Sequence, residues 1–125
     1  MAIFVSTNRE GTNWINGITN NIALVPGTNL PVSVNTINGG GINEQSGVYI
    51  PPTNPQYYVD NGDPKFSTNV PVFNIQYDGT TVLLTAEANI SANVTYHIKI
   101  AIADYGDSIF DSSVFIKPWS SCQCQ

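Results

Sequence analysis

The chain has 125 residues, of which 42% are hydrophobic and 10% are charged, and its formal net charge is −5. This length fits one domain with its own hydrophobic core, and the hydrophobic share argues against a disordered tail. With four basic residues scattered along the chain, neither nucleic-acid binding nor attraction to an anionic membrane is expected. No apolar stretch approaches the roughly 20 residues that span a bilayer, so we predict no membrane insertion.

The first half of the chain predicts short strands between turn-forming residues. Pro26 and Gly27 indicate a turn, and the triple glycine that begins at Gly39 indicates a flexible connection. Apolar and β-branched residues predict four strands, at residues 3–5, 22–25, 32–37 and 57–59.

The second half carries the clearer pattern. From residue 94 to residue 104, apolar side chains alternate with Thr95, His97 and Lys99, which predicts a half-buried strand. Asp78-Gly79 predicts a two-residue hairpin turn, since glycine readily takes the positive φ that a type I′ turn needs. Further strands are predicted at residues 70–77, 80–90 and 113–117.

Many short strands with frequent turns, and no predicted helix longer than a turn, favour one fold class. We predict an all-β domain, an antiparallel β-sandwich or jelly-roll-like fold. It is expected to occupy residues 1–118, followed by a C-terminal tail at residues 119–125.

Aspartates cluster in the loop that follows the alternating strand. Asp104, Asp107 and Asp111 lie within eight residues, and three neighbouring carboxylates repel one another unless a cation or hydrogen bonds offset the charge. Oxygen ligands that converge from a loop suit Ca²⁺, and Asp60 and Asp63 form a second oxygen-rich turn. The sequence therefore predicts a Ca²⁺ site, with turn capping by these same side chains as the alternative.

Catalytic signals are weak. His97 is the only histidine and falls in the middle of a predicted strand. No nucleophile-elbow pattern is present. Paired carboxylates that hydrolyse glycosides usually need a cleft lined with aromatic residues, for which little chain remains. We therefore expect binding or assembly and no enzymatic activity.

Two further groups of residues leave their roles open. Aromatic rings in loops or at strand ends either stack on a polysaccharide or close the ends of the core. Two cysteines near the C-terminus are too close together for an unstrained disulfide. They are either an incidental pair in the tail or a cross-link to another segment or chain. The aromatic candidates are Trp14, Tyr49, Tyr57, Tyr58 and Trp119, and the cysteines are Cys122 and Cys124.

Several blocks of the sequence resemble the choice-of-anchor L domain, a module of large exported bacterial surface proteins. They occur in the family's order and together extend over about residues 3–116. The blocks are NIALVPGTNLPVSVNTIN (21–38), YYVDNGD (57–63), IQYDGTTVLLTAEANI (75–90) and TYHIKIAIADYGDSIFDSSVFI (95–116).

This resemblance implies an extracellular, β-rich module at the bacterial cell surface with a structural or adhesive role. It implies no established enzyme activity. The chain carries neither a signal peptide nor the family's upstream Phe-Gly-Ser-Glu-Glu-Tyr-like block, so we expect an unpaired sheet edge where that block would lie. Exposed edges recruit strands from neighbours. We therefore predict self-association, or binding to a neighbouring surface-protein chain, by strand addition that gives a dimer or a filament.

Overall fold

The computed structural model describes residues 1–7, 21–43, 46–62, 74–104 and 111–117. Over these ranges the prediction of an all-β, antiparallel protein is confirmed, while the face-to-face packing of a sandwich stays a prediction. One 3₁₀ turn, Pro55–Tyr57, accompanies the strands. The strands are β1 (Ala2–Ser6), β2 (Gly41–Ile42), β3 (Tyr49–Ile50), β4 (Tyr58–Asp60), β5 (Gly79–Thr81) and β6 (His97–Ala101).

The chain forms two compact units. The terminal unit comprises Met1–Leu24 together with Ala86–Gln125, and the central unit is Val25–Thr85. The strand pair β1–β6 belongs to the terminal unit, whereas β2–β3 and β4–β5 belong to the central unit. The predicted domain end at residue 118 lies outside the described residues.

In the terminal unit, β1 pairs antiparallel with β6 and also hydrogen-bonds to residues 21–23. The Ile22 N–H donates to the Ile3 carbonyl at 2.9 Å. Asn21 is buried, and its Oδ1 accepts from the N–H groups of Ile3 at 2.8 Å and Ala23 at 3.0 Å. An amide side chain thus satisfies buried backbone donors, which would be costly to leave unpaired.

The apolar face of this sheet is more exposed than its alternation predicts. Ile3 pairs with Ile100 and Val5 with Ile98. Directly opposed residues share one face of a sheet, and we call these four the apolar face. Ile98 is 69% exposed and Ile100 is 43% exposed. The predicted strand is confirmed at His97–Ala101, but its predicted half-burial is wrong. Alternation determines which side chains share a face, and burial requires a second layer over it.

In the central unit, residues 38–43 and 46–53 pair as two antiparallel segments of a hairpin that we call the arm. Asn38 and Thr53 bridge at its base, and Ile42 pairs with Tyr49. The Asn43 N–H donates to the Val48 carbonyl at 2.9 Å near the tip. The predicted flexible connection at Gly39–Gly41 therefore runs into a strand of this arm.

The strand predicted at residues 32–37 is wrong, because this segment folds into a turn. The N–H groups of Thr36 and Ile37 donate to the Ser33 carbonyl at 3.0 and 2.9 Å. The Thr36 hydroxyl accepts from the Ser33 N–H at 2.9 Å and donates to the Pro31 carbonyl at 2.6 Å. Serine and threonine hydroxyls offer the backbone local partners that compete with a strand ladder. Residues 22–25, 82–90 and 113–117 are likewise not strands in the structure.

Candidate functional site

The pairing of β4 with β5 brings two aspartate-containing segments together in the central unit. Asp60 pairs with Gly79, and the Asn61 N–H donates to the Asp78 carbonyl at 2.7 Å. The predicted hairpin turn at Asp78-Gly79 is therefore wrong. Gly79 begins β5, and it is not among the glycines with positive φ. We call Tyr58, Asp60, Asn61, Asp78 and Gly79 the β4–β5 junction.

Asn61 is the buried polar residue at this junction. It is 1% exposed, and its Nδ2 donates to the backbone carbonyls of Tyr77 at 2.8 Å and Ile75 at 3.3 Å. Next to it, the Asp60 carboxylate accepts from the Gly62 N–H at 2.9 Å. One amide thus holds the segment before β5 against the end of β4, and a neighbouring carboxylate fixes the turn that follows.

Tyr58 packs closely against glycine backbone. A Cβ on Gly79 would lie 2.5 Å from both Cε2 and Oη of Tyr58, and a Cβ on Gly39 would lie 2.7 Å from its Cε1. Only glycine allows so close an approach at these positions. Burial raises the pKa of the Tyr58 phenol above its ordinary value, and the negative charges of Asp60 and Asp78 raise this pKa further.

The junction presents two exposed carboxylates, those of Asp60 and Asp78. Among the described residues, no group of three or more His, Cys, Asp or Glu side chains is placed to hold a metal ion. The geometry of the junction therefore explains how the ends of β4 and β5 are held together.

The residues predicted for the Ca²⁺ loop are only partly described. Asp104 and Asp111 are exposed and belong to the terminal unit, whereas Asp60 belongs to the central unit. Asp63 and Asp107 lie outside the described residues.

The aromatic candidates are also only partly described. Tyr57 is half-buried, and its carbonyl accepts from the Val82 N–H at 3.0 Å, while Tyr58 packs at the junction. Trp14, Trp119, Cys122 and Cys124 lie outside the described ranges.

Sequence reasoning singled out the ring of Tyr49 for sugar stacking but missed the arm as an exposed apolar element. Ile42 is 70% exposed, and Val48, Tyr49 and Ile50 are 60%, 63% and 47% exposed. The available signal is the run from Val48 to Ile50, three consecutive apolar residues with no charged residue among them. In a half-buried strand such residues alternate with polar ones, so an unbroken run marks either a buried strand or a contact surface.

A concavity of about 510 Å³ lies in the terminal unit. It mixes aliphatic side chains with one carboxylate, two amides and one phenol ring. Tyr96, part of this lining, accepts a hydrogen bond at its Oη from the Ser91 N–H at 2.9 Å. The lining residues are Val5, Asn21, Ile22, Leu24, Glu87, Ala88, Asn89 and Tyr96.

Comparison with protein families gives one match that covers nearly the whole chain. The family model described as the choice-of-anchor L domain matches residues 1–121. The chain belongs to the choice-of-anchor L domain family. This membership confirms the resemblance seen in the sequence and indicates a module of a bacterial surface or exported protein.

The remaining comparisons add no relative of this choice-of-anchor L domain. No curated protein and no solved structure matches it. Within the described ranges, no helix has the length and apolar character needed to cross a bilayer.

Proposed function

We propose that this choice-of-anchor L domain is a non-catalytic structural or adhesive module of a bacterial surface protein, and that the arm is its contact surface. The observation that carries the proposal is the exposure of Ile42, Val48, Tyr49 and Ile50, each between 47% and 70%. Ile42 and Tyr49 are directly opposed and so share one face of the arm, and exposed apolar side chains that lie side by side often mark a contact surface.

The architecture of the arm supports the same function. A lone two-stranded hairpin is only marginally stable in water unless further structure packs on it. Its base is nevertheless well fixed. Asn38 and Thr53 exchange backbone hydrogen bonds at 2.9 and 3.2 Å, and the Asn54 side chain donates to the Thr36 carbonyl at 2.8 Å. A hairpin that is anchored at its base and exposes apolar side chains along its strands is suited to contact a second surface.

Adhesion is tested with beads that carry the domain. Beads coated with the wild type are washed over a methyl-terminated film, a polysaccharide film and a film of the domain itself, and the retained fraction is counted. The arm variant, which combines Ile42→Thr with Tyr49→Thr, keeps β-forming residues but removes apolar surface. We expect retention of the wild type on at least one film, and a loss of about tenfold for the arm variant, equivalent to about 1.4 kcal/mol.

The matched control is Val34→Thr, which alters a side chain that is 61% exposed in the same unit but outside the arm. Beads with this variant should be retained like the wild type. Wild-type retention no greater than that of albumin-coated beads on all three films would refute the adhesive role. Equal retention of the arm variant and the wild type would show that the arm is not the contact surface.

Polysaccharide binding is the second candidate, and the concavity of the terminal unit favours it. Glu87 and Asn89 offer groups that hydrogen-bond sugar hydroxyls, while Tyr96 offers a ring for the apolar face of a sugar. Three results together would favour this candidate over the first. Wild-type beads are retained only on the polysaccharide film, Tyr96→Ala abolishes this retention, and the arm variant leaves it unchanged.

Calcium binding by the aspartate loop is a separate proposal that rests on the sequence of residues 104–111. A cation that binds only the folded state stabilises it by mass action. We expect the thermal unfolding midpoint of the protein to be higher in Ca²⁺ than in chelator. Ca²⁺ at about 100 times its Kd would stabilise the folded state by about 2.7 kcal/mol, which raises the midpoint by several degrees. The control is the double variant Asp104→Asn with Asp107→Asn, whose midpoint should be the same in Ca²⁺ and in chelator. An identical midpoint in Ca²⁺ and chelator for the wild type would exclude the site.

A further inference from the structure

The buried polar residue of the β4–β5 junction is an asparagine that precedes a glycine. Asn61 is 1% exposed, and Gly62 follows it with φ of 78°. Asparagine is a chemically labile residue, and a following glycine leaves its backbone nitrogen unshielded because it has no Cβ. We propose that Asn61 is a self-modification site, which deamidates when the junction opens and whose product keeps the junction open. This inference is independent of the arm and of the adhesive role.

The reaction needs only water in addition to the chain. The Gly62 nitrogen bonds to the side-chain carbonyl carbon of Asn61 and gives up its proton, while the bond from that carbon to Nδ2 breaks. Nδ2 takes up a proton and leaves as ammonia, and a cyclic imide remains. Water then opens the imide at one of its two carbonyls, which gives aspartate or isoaspartate. The net change is the replacement of an amide by a carboxyl group.

The closed junction protects Asn61 from this reaction. Its Nδ2 is the leaving group, and the reaction breaks the bonds that this atom donates to the carbonyls of Tyr77 at 2.8 Å and Ile75 at 3.3 Å. The Gly62 N–H donates to the Asp60 carboxylate at 2.9 Å, so the nitrogen loses its proton less readily. Burial also keeps away the water that must open the imide.

The protection depends on contacts between distant parts of the chain. The two bonds from Asn61 reach residues 14 and 16 positions further along, in the segment before β5. Local opening breaks such contacts while the rest of a fold stays intact. Water then reaches the amide, and the rate of deamidation follows the fraction of molecules in which the junction is open.

The product does not fit the closed junction. An aspartate at position 61 places a carboxylate oxygen where the Nδ2 donor was, so the carbonyls of Tyr77 and Ile75 face an oxygen without a proton. Isoaspartate also inserts a methylene into the main chain directly after β4, which ends at Asp60. Because ammonia is lost, conversion runs one way, and converted molecules keep the junction open.

The other asparagine–glycine pair of the central unit shows why the bonding matters. Asn38 lies at the base of the arm, and its Oδ1 accepts from the Gly40 N–H at 3.1 Å and the Thr53 N–H at 3.2 Å. Its Nδ2 donates to the Val34 carbonyl at 2.9 Å. An aspartate here keeps both acceptor bonds and loses the donor bond. Conversion at the base of the arm therefore leaves the fold closed, whereas conversion at the junction does not.

The first test follows the mass of one peptide. Chymotrypsin cuts after aromatic residues and releases residues 59–66, VDNGDPKF, in which Asn61 is the single asparagine. The wild type is incubated in warm, mildly alkaline buffer with and without denaturing urea, and mass spectrometry gives the deamidated fraction of this peptide. We expect conversion in native buffer to be at least about tenfold slower than in urea. Equal rates, or no conversion in urea, would overturn the inference.

Two glycine variants separate opening of the junction from unfolding of the whole protein. The Cβ of Gly79→Ala would lie 2.5 Å from the Tyr58 ring, so this variant should loosen the junction and speed the conversion of Asn61 about tenfold in native buffer. Gly47→Ala, in the arm, meets nothing within 4 Å and should change the rate by less than about twofold. Equal acceleration by both variants would contradict local opening.

The wild type in sub-denaturing urea replaces Gly79→Ala if that variant does not fold. Conversion of Asn61 should accelerate at urea concentrations below those at which circular dichroism reports unfolding. Acceleration that coincides with global unfolding would overturn the inference.

Brief digestion of refolded protein tests the effect of the product. Wild type that is partly converted in urea is refolded, and chymotrypsin is added for a short time, so that it cuts molecules with an open junction first. The peptide 59–66 released early should be several-fold richer in the converted form than the same peptide from complete digestion. Conversion of Asn38, measured in the same digests, should show no such enrichment. An early peptide no richer in the converted form would show that the product fits the closed junction, which would refute the inference.

Discussion

Asn61→Asp is expected to destabilise the protein by about 3–5 kcal/mol at neutral pH, the range for an uncompensated buried charge. Asn61 is 1% exposed, and its Nδ2 donates to the carbonyls of Tyr77 at 2.8 Å and Ile75 at 3.3 Å. The substitution keeps the shape of the side chain but replaces this donor with a carboxylate oxygen. That oxygen would face two carbonyl oxygens, so two hydrogen bonds become two repulsions.

The pH dependence separates this electrostatic cause from a loss of packing. Burial raises the folded-state pKa of a carboxyl group at position 61 above its unfolded value of about 3.9. Because the folded-state pKa is raised, the charged carboxylate costs no stability at a pH below the unfolded-state pKa. It costs its full free energy at a pH above the folded-state pKa. Urea unfolding at several pH values should therefore show the free-energy gap to the wild type narrowing as the pH falls towards 4.

The matched control is Asn74→Asp, the same substitution at an exposed asparagine of the central unit. Exposed substitutions usually change stability by no more than about 0.5 kcal/mol, and we expect that here at every pH. A loss of stability in Asn61→Asp that does not vary with pH would show that shape, and not charge, determines the importance of this residue.

The alternation of apolar residues predicted part of the fold because it depends only on neighbouring residues. It located β6 within residues 94–104, and the β-branched run at the start of the chain located β1. The turn at Pro26-Gly27 follows from residue chemistry, and Gly27 has φ of 76° as that chemistry requires. These features need no knowledge of distant parts of the chain.

The failures arise where a distant residue decides the local structure. Asp78-Gly79 has the composition of a hairpin turn, yet Gly79 pairs with Asp60 and lies under the ring of Tyr58. The sequence shows that a glycine is present, but a close approach by an aromatic ring 21 positions away leaves no local pattern. The exposure of Ile98 was unpredictable for a related reason, since alternation contains no information about the layer above a sheet.

The candidate site was predicted only in outline. Asp60 and Tyr58 were singled out for cation and sugar binding, and in the structure they form part of a junction whose central residue, Asn61, is buried. An asparagine before a glycine is typical of an exposed turn. Its burial depends on the carbonyls of Ile75 and Tyr77, which only the pairing of β4 with β5 brings within reach.

Gly79→Ala is expected to cost about 1–3 kcal/mol of stability, the range for an added methyl group in a tightly packed site. The new Cβ would lie 2.5 Å from the Tyr58 ring, so the ring must move. Tyr58→Ala removes that ring. In this background the cost of Gly79→Ala should fall below about 0.5 kcal/mol, because no neighbour is left to clash.

Titration of the phenols provides an independent measurement on the Gly79→Ala protein. In the wild type, burial and the charges of Asp60 and Asp78 raise the pKa of Tyr58 above 10.0. Its contribution to stability is therefore complete below the unfolded value and lost as the pH rises through the folded value. Displacement of the ring into water should lower this pKa, so absorbance titration should show the Tyr58 phenol ionising at lower pH than in the wild type, and less stability should be lost as the pH rises above 10.

Gly47→Ala is the control, because its Cβ would meet nothing within 4 Å while its φ of +67° still disfavours alanine. Its cost, about 1–2 kcal/mol from the backbone alone, should be the same with and without Tyr58. If the coupling free energy between Gly79 and Tyr58 is no larger than that between Gly47 and Tyr58, the Tyr58 ring moves aside without a measurable cost in stability. The glycine at position 79 would then serve the backbone of β5 and not the packing of Tyr58 at the β4–β5 junction.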